Sequence, residues 1–447
     1  MTSRREFLRR SSLTTASLSL SPSIFPILAS RQQSDTITVA VMGVRSRGKA
    51  LAKTFSAANN CEVAYICEVD ERYVNDCLKE VGEFQRRVPK VEKDIRKVLE
   101  DKALDAIVIA APDHWHAPAT IMACQAGKHV YVEKPCSHNP QEGEWVVSAA
   151  KKYERVVQMG NQRRSWSNVQ QCIEDIQSGL IGRVYHARAW YANQRGSIGK
   201  GKEVSVPREL DWEIWQGPAP RKPYRDNYHP YEWHWFWHWG TGEALNNGTH
   251  FLDLMRWGLE VEYPSIVTST GGRFHFDDDW ETPDTQIISL NFPENKSMTW
   301  ESRSCNTLPV YEQSAGVTFH GEGGSILLQS GNAYTVYDND RKPKVIKEVT
   351  ESTSKESQPD QQNTVGPGMR YDIGHVENFL NAIRQRGQVN SEIGGGHKSV
   401  LLCQLGNIAY RTQSALKIDP TNGHILENLE AQKLWERSYE PGWEVVV

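Results

Sequence analysis

From residue 36 to 160 the chain alternates two hydrophobic patterns. Short, mostly apolar runs occur at 36–43 (TITVAVMG), 62–67 (EVAYIC), 106–111 (AIVIAA) and 156–160 (VVQMG), and a shorter one closes 127–132 (GKHVYV). Runs of this kind suit parallel strands buried on both faces. Between them, three- and four-residue apolar spacing predicts helices over 49–55, 91–99 and 140–153, and another opening at PDHWHAP (112–118) with Asp113 as its N-cap. Strands and helices alternating at this spacing predict a doubly wound parallel sheet over 34–160.

Beyond residue 160 the pattern changes. A helix is predicted at 168–178, after which 182–191 alternates apolar and polar as a half-buried strand does. Further strands are expected near 266–269, 285–292, 296–302, 317–321 and 325–328, with no comparable helix between them. Residues 161–447 therefore form a second domain with an open, mainly antiparallel sheet, closed by helices at 373–384 and 397–414. The Pro/Gln-rich stretch 351–369 reads as a surface loop.

The first 33 residues belong to neither domain. SRREFLR (3–9) followed by a weakly apolar, Ser/Thr/Leu-rich run to residue 29 has the form of a twin-arginine export signal. The run is too short and polar to remain as a stable membrane span. A twin-arginine passenger is exported folded, so the reading implies a periplasmic protein that carries any bound ligand out with it. Net charge is −4 with no basic block beyond the signal, which excludes nucleic acid as a partner. The eight cysteines are scattered without a C-x-x-C pair and read as small buried residues. Fifteen tryptophans is about twice the usual share, and seven fall between Trp212 and Trp257. At least half of them are expected to pack in the core and the rest to offer faces to a sugar ring.

The chemistry starts at the first turn. GVRSRG (43–48) has the outer glycines of a phosphate-binding fingerprint but Arg45 where the middle one belongs. Gly43, Arg45, Ser46, Arg47 and Gly48 are the expected phosphate contacts. Glu68 and Asp70, after the second strand, lie where a carboxylate meets ribose hydroxyls, which favours NAD over NADP; Arg45 and Arg47 are a contrary hint toward a 2′-phosphate. Pro112, Asp113, Trp115 and His116 follow the third strand, and Glu133 and Lys134 the fourth. Strand ends of a parallel sheet face the nucleotide crevice, so a lysine there is placed beside the cofactor. His234 and His238, four apart, have metal-ligand spacing, but the aromatics around them favour a sugar-binding loop, and no metal is expected.

The EKP triplet (133–135) after a dinucleotide pattern, together with NNGTH (246–250) behind a glycine-rich turn, resembles the signature of the Gfo/Idh/MocA family. The resemblance covers essentially the whole chain after the signal. The family carries D-x-G-x-H on one helix; here the histidine matches and Asn246 replaces the aspartate. The resemblance implies that His250 takes the proton of a sugar hydroxyl as hydride leaves the same carbon, that Lys134 hydrogen-bonds that hydroxyl, and that Asn246 orients substrate. Asn161, Arg164, Tyr191, Trp235 and His238, with Trp115, are the expected substrate contacts. It further implies a homo-oligomer, a dimer or tetramer, built through the C-terminal sheet. Three functions stay open: an NAD-dependent sugar oxidoreductase, a redox-assisted glycosidase on the same fold, and a non-catalytic sugar sensor that keeps NAD as a structural ligand.

Overall fold

The structure, a computed structural model, describes residues 36–348 and 369–447. The segment read as an export signal and the polar stretch as far as residue 368 lie outside the described residues. Strands β1 (Ile37–Met42), β2 (Cys61–Cys67), β3 (Lys90–Glu92), β4 (Ala106–Ile109), β5 (His129–Val132) and β6 (Val157–Met159) form a parallel sheet in the order β3-β2-β1-β4-β5-β6. Its chain order reverses between β1 and β4, and ligands bind at such a switch point. Every residue of β4 is buried.

Two local expectations differ. The stretch 91–99 is not one helix: β3 takes residues 90–92 onto the free edge of β2, and the Asp94 carboxylate then accepts from the Arg96 N–H and starts a short helix, Ile95–Leu99. Asp113 is not an N-cap; it is the first residue of helix Asp113–Gln125, and its carboxylate instead accepts from the Thr241 hydroxyl. An additional helix, Val74–Gly82, buries Cys77 and Val81.

The second sheet has ten strands: β7 (Val184–Ala192), β8 (Ile266–Gly272), β9 (Thr285–Phe292), β10 (Lys296–Arg303), β11 (Ala315–Gly321), β12 (Gly324–Gln329), β13 (Tyr334–Tyr337), β14 (Pro343–Lys347), β15 (Leu416–Ile418) and β16 (Ile425–Leu426). Neighbours are antiparallel except β7 and β10, which run parallel at the centre. Helices Gly248–Leu259 and Ile393–Thr412 pack on this sheet. Helix Met369–Ile383 returns to the first sheet. Its Val376, Phe379 and Leu380 are buried with Val39, Val41, Phe55 and Tyr131, so residues far beyond position 160 complete the nucleotide-binding layer.

Candidate active site

The carboxyl ends of β1, β2, β4 and β5 open into a cleft of roughly 1430 Å³ of non-protein space, its mouth included. Gly43 ends β1 with φ +80°, and a Cβ on it would lie 2.8 Å from the Ala110 carbonyl. A Cβ on Gly48 would come within 1.7 Å of the Gly43 oxygen, so helix Arg47–Ala57 meets the turn this closely only through glycine. Gly48 supports the turn from behind and does not itself line the cleft. Among the described residues no side chain caps this helix, which leaves its first N–H groups for an anion.

Glu68 is 7% exposed and lines the cleft. Its carboxylate accepts from the N–H of Val44 at 2.7 Å, Val69 at 2.8 Å and Asp70 at 3.0 Å, tying the end of β2 to the turn after β1. Burial raises its pKa, and the three N–H bonds oppose the rise. Asp70 points elsewhere: fully buried, it accepts from the Arg72 backbone and guanidinium and is not a ribose contact. Arg47 lines the cleft, but its guanidinium is engaged by Asp372 at 2.6 and 2.9 Å and by Glu133 at 2.9 Å, which removes it as a 2′-phosphate ligand. Arg45 faces the cleft between the rings of Tyr73 and Tyr231, 5.9 and 5.8 Å from their centres.

Lys134 follows β5. Its Nζ donates to the Asn246 backbone oxygen at 2.6 Å and to Asn246 Oδ1 at 3.2 Å. Burial lowers its pKa, while Glu133, Asp113 and Glu243 push it back up. Asn246 and His250 do not share one helix: Asn246 ends helix Gly242–Asn246, and His250 lies in the first turn of Gly248–Leu259. Both still line the cleft with Lys134. His250 is held neutral, its pKa pushed well down by burial and then by the Lys134 charge. Its Nδ1 is buried without a hydrogen-bond partner among the described residues. Asn246 Nδ2 faces Glu243 Oε1 at 3.5 Å, and Glu243 is itself paired with Arg195 at 2.7 Å.

Pro112, Asp113, Trp115, His116, Ser46 and Glu133 also line the cleft, the Trp115 indole N–H donating to the Trp215 oxygen at 2.9 Å. Five expected substrate contacts do not. Arg164 is locked on Asp253 at 2.7 and 2.9 Å. Tyr191 is buried and accepts from the Asn193 amide. Trp235 is buried in a stack on Trp280, ring centres 4.0 Å apart. His238 donates from Nε2 to the Pro220 oxygen at 2.7 Å. Asn161 is 1% exposed below the end of β6. Instead Gln162, Trp215, His229, Tyr231, His234 and Asn247 line the cleft. Of these, Gln162 lies in the stretch 161–164 and Trp215 in the tryptophan-rich loop that the sequence places beside the substrate, and His234 carried a signal through its spacing to His238; His229, Tyr231 and Asn247 carried none. Among the described residues, no group of three or more His, Cys, Asp or Glu side chains is placed to hold a metal ion, and no helix is long and apolar enough to cross a membrane.

A parallel sheet with a glycine cradle, an uncapped helix start and a carboxylate at the second strand fits a bound dinucleotide, and a lysine and a histidine share its cleft. These features define the class of dinucleotide-binding α/β proteins. The family description "Oxidoreductase family, NAD-binding Rossmann fold" matches residues 37–161, and "Oxidoreductase family, C-terminal alpha/beta domain" matches 185–271. The chain belongs to the Gfo/Idh/MocA family, and its first sheet is the family's NAD-binding domain. A glycosyl hydrolase family 109 protein of a Shewanella species is 26% identical over 280 residues, 60% of this chain and 57% of its own. An alpha-N-acetylgalactosaminidase of Shewanella oneidensis is 23% identical over 213 residues, 43% of this chain and 46% of its own. The chain thus spans about half the length of these curated relatives. A levoglucosan dehydrogenase solved with NADH and levoglucosan superposes at TM-score 0.65 with 19% identity, covering 86% of this chain and 99% of that one. An aldose-aldose oxidoreductase of Caulobacter crescentus, solved with glycerol, gives 0.63 and 16%, covering 86% and 100%. At these identities the superpositions show a shared fold.

Proposed function

We propose that the protein is an NAD-dependent oxidoreductase acting on a ring hydroxyl of a sugar or glycoside. The observation that carries this reading is Lys134 Nζ, 2.6 Å from the Asn246 oxygen, in one cleft with a neutral His250. An ammonium has three donors, and Asn246 engages two, so one remains for a substrate hydroxyl oxygen. A neutral imidazole accepts the proton that this hydroxyl loses. Bound NAD supplies the two-electron acceptor at its nicotinamide ring. Lys134 holds developing charge on the oxygen and His250 removes the proton. Purified protein incubated with free sugars and aryl glycosides, followed at once for NADH absorbance and aglycone release, tests the reading; neither signal with any member of a broad panel counts against it.

A second reading, redox-assisted glycoside cleavage, is supported by the relatives named as family 109 glycosyl hydrolases and as an alpha-N-acetylgalactosaminidase. In that case aglycone is released with no net NADH. Export by the twin-arginine route to the periplasm, supported by the Arg4-Arg5 pair, favours this redox-neutral cycle, because a retained cofactor then needs no external pool. Assembly through the second sheet is supported by the alternation of buried and half-exposed residues in β9 and β12, which leaves one face to a partner copy.

A further inference from the structure

Oxidation of a hydroxyl needs one proton acceptor, and His250 provides it. The cleft holds a second accessible imidazole. His234 sits in the turn Glu232–Trp235, lines the same cleft and is close enough to Lys134 to feel its charge. Its Nδ1 lies 2.6 Å from the Tyr231 carbonyl oxygen. A carbonyl only accepts, so Nδ1 carries the hydrogen and Nε2 holds the lone pair. The ring is stacked on Trp233, centres 3.6 Å and planes 20° apart, which fixes its orientation. Nε2 has no hydrogen-bond partner among the described residues and is not sealed from the cleft. His116, in the same cleft, shows what a structural histidine looks like: both of its ring nitrogens lie 2.6 Å from carbonyl oxygens, so neither is open to a substrate. Burial keeps His234 neutral, its pKa pushed well down despite the Tyr231 carbonyl.

We propose that His234 is a further catalytic residue, a second base that removes the proton from the ring carbon next to an oxidised one. The proposal rests on the reading of this cleft as one that oxidises a ring hydroxyl, and it gives the cleft the means for glycoside elimination. The ketone acidifies the neighbouring C–H. His234 Nε2 takes that proton, the C–H electron pair becomes a carbon–carbon double bond, and the bond to the aglycone oxygen breaks. The aglycone oxygen leaves with the bonding pair and takes a proton from water. The step is redox-neutral: the hydroxide left by that water later adds to the carbon the aglycone has left, and the imidazole returns its proton to the neighbouring carbon.

The test bypasses the oxidation. An aryl glycoside already carrying a ring ketone beside that C–H is offered to the full-length protein in D2O, with deuterium at the C–H read by NMR and aryl release by absorbance. Wild type is expected to exchange and eliminate above the buffer rate, and His234→Gln to fall by about a hundredfold, the scale of a lost general base. His238→Gln, in the same aromatic segment but tied to Pro220 outside the cleft, is expected to match wild type. Fluorescence of NADH bound to each variant reports an intact fold. A His234→Gln protein that retains NAD and exchanges at the wild-type rate overturns the proposal. So does a wild type that forms NADH from an intact sugar yet never exchanges the ketone, an outcome that leaves the oxidoreductase reading standing. Exchange on the ketone with no oxidation of any intact substrate sinks the oxidoreductase reading and supports the assignment of His234.

Discussion

Asn246→Asp restores the family carboxylate and perturbs Lys134 directly. In the native cleft Asn246 Oδ1 accepts from Lys134 at 3.2 Å while Nδ2 faces Glu243 Oε1 at 3.5 Å. A carboxylate there gains attraction to Lys134 and repulsion from Glu243. At these distances and an effective dielectric of about 20, each is about 5 kcal/mol, opposite in sign, so the fold is expected to tolerate the change. The Glu243 charge is already answered by Arg195 at 2.7 Å, and the new carboxylate leaves the four groups neutral together. The effect falls on titration instead. Burial lowers the Lys134 pKa, and a new anion in contact favours the charged amine by about one to three pH units. A group whose pKa is raised stays protonated to higher pH, so the alkaline limb of kcat/KM, where a cationic Lys134 is lost, is expected to move upward by that amount. The assay is the pH profile of NADH formation or aglycone release on whichever substrate the panel yields. An unmoved limb, or one displaced to lower pH, refutes the assignment of Lys134 as the cationic donor.

His250→Ala is expected to keep NAD bound and to lower turnover by about a hundredfold or more; near-normal turnover on the true substrate ends the proposed mechanism. Glu68→Ala removes the acceptor of three backbone N–H groups and frees the turn after β1, so NAD affinity, measured by fluorescence titration, is expected to fall further than NADP affinity. Equal losses for the two cofactors argue against a ribose role. Arg4→Lys with Arg5→Lys is expected to hold folded protein in the cytoplasm on cell fractionation, and an unchanged periplasmic share refutes the export reading.

The elements that were legible in the sequence are those whose burial leaves a periodic trace. β4 is buried at every position and reads as a continuous apolar run; β9 alternates and reads as a half-buried strand. β14 is largely exposed and β15 is three residues long, so neither leaves a pattern to read. β3 was hidden for another reason: its pairing with β2 is a contact made by backbone, which side-chain periodicity does not record. Helix Met369–Ile383 shows an apolar face in sequence, but periodicity says only that something covers that face. That it is the nucleotide-binding sheet follows from Arg47 reaching Asp372 across 325 residues.

The site divides along the same line. Lys134 was legible because a parallel strand can deliver its carboxyl end only to the crevice. Arg164 was not, because the carboxylate that takes it out of the cleft stands 89 residues away. The tryptophans divide similarly: Trp212 and Trp239 sit in a buried cluster, while Trp215, in contact with both, also reaches the cleft. His234 and His238 make the limit plain. Each is bonded to a backbone carbonyl, and spacing treats them alike. His234 uses Nδ1 on a carbonyl three residues back in its own turn, and its ring lines the cleft; His238 uses Nε2 on Pro220, 18 residues away, and its ring does not. Which imidazole is available for chemistry is decided by how the aromatic segment closes on itself, since a local carbonyl orients a ring without burying its far nitrogen, whereas a distant one draws the ring out of the cleft.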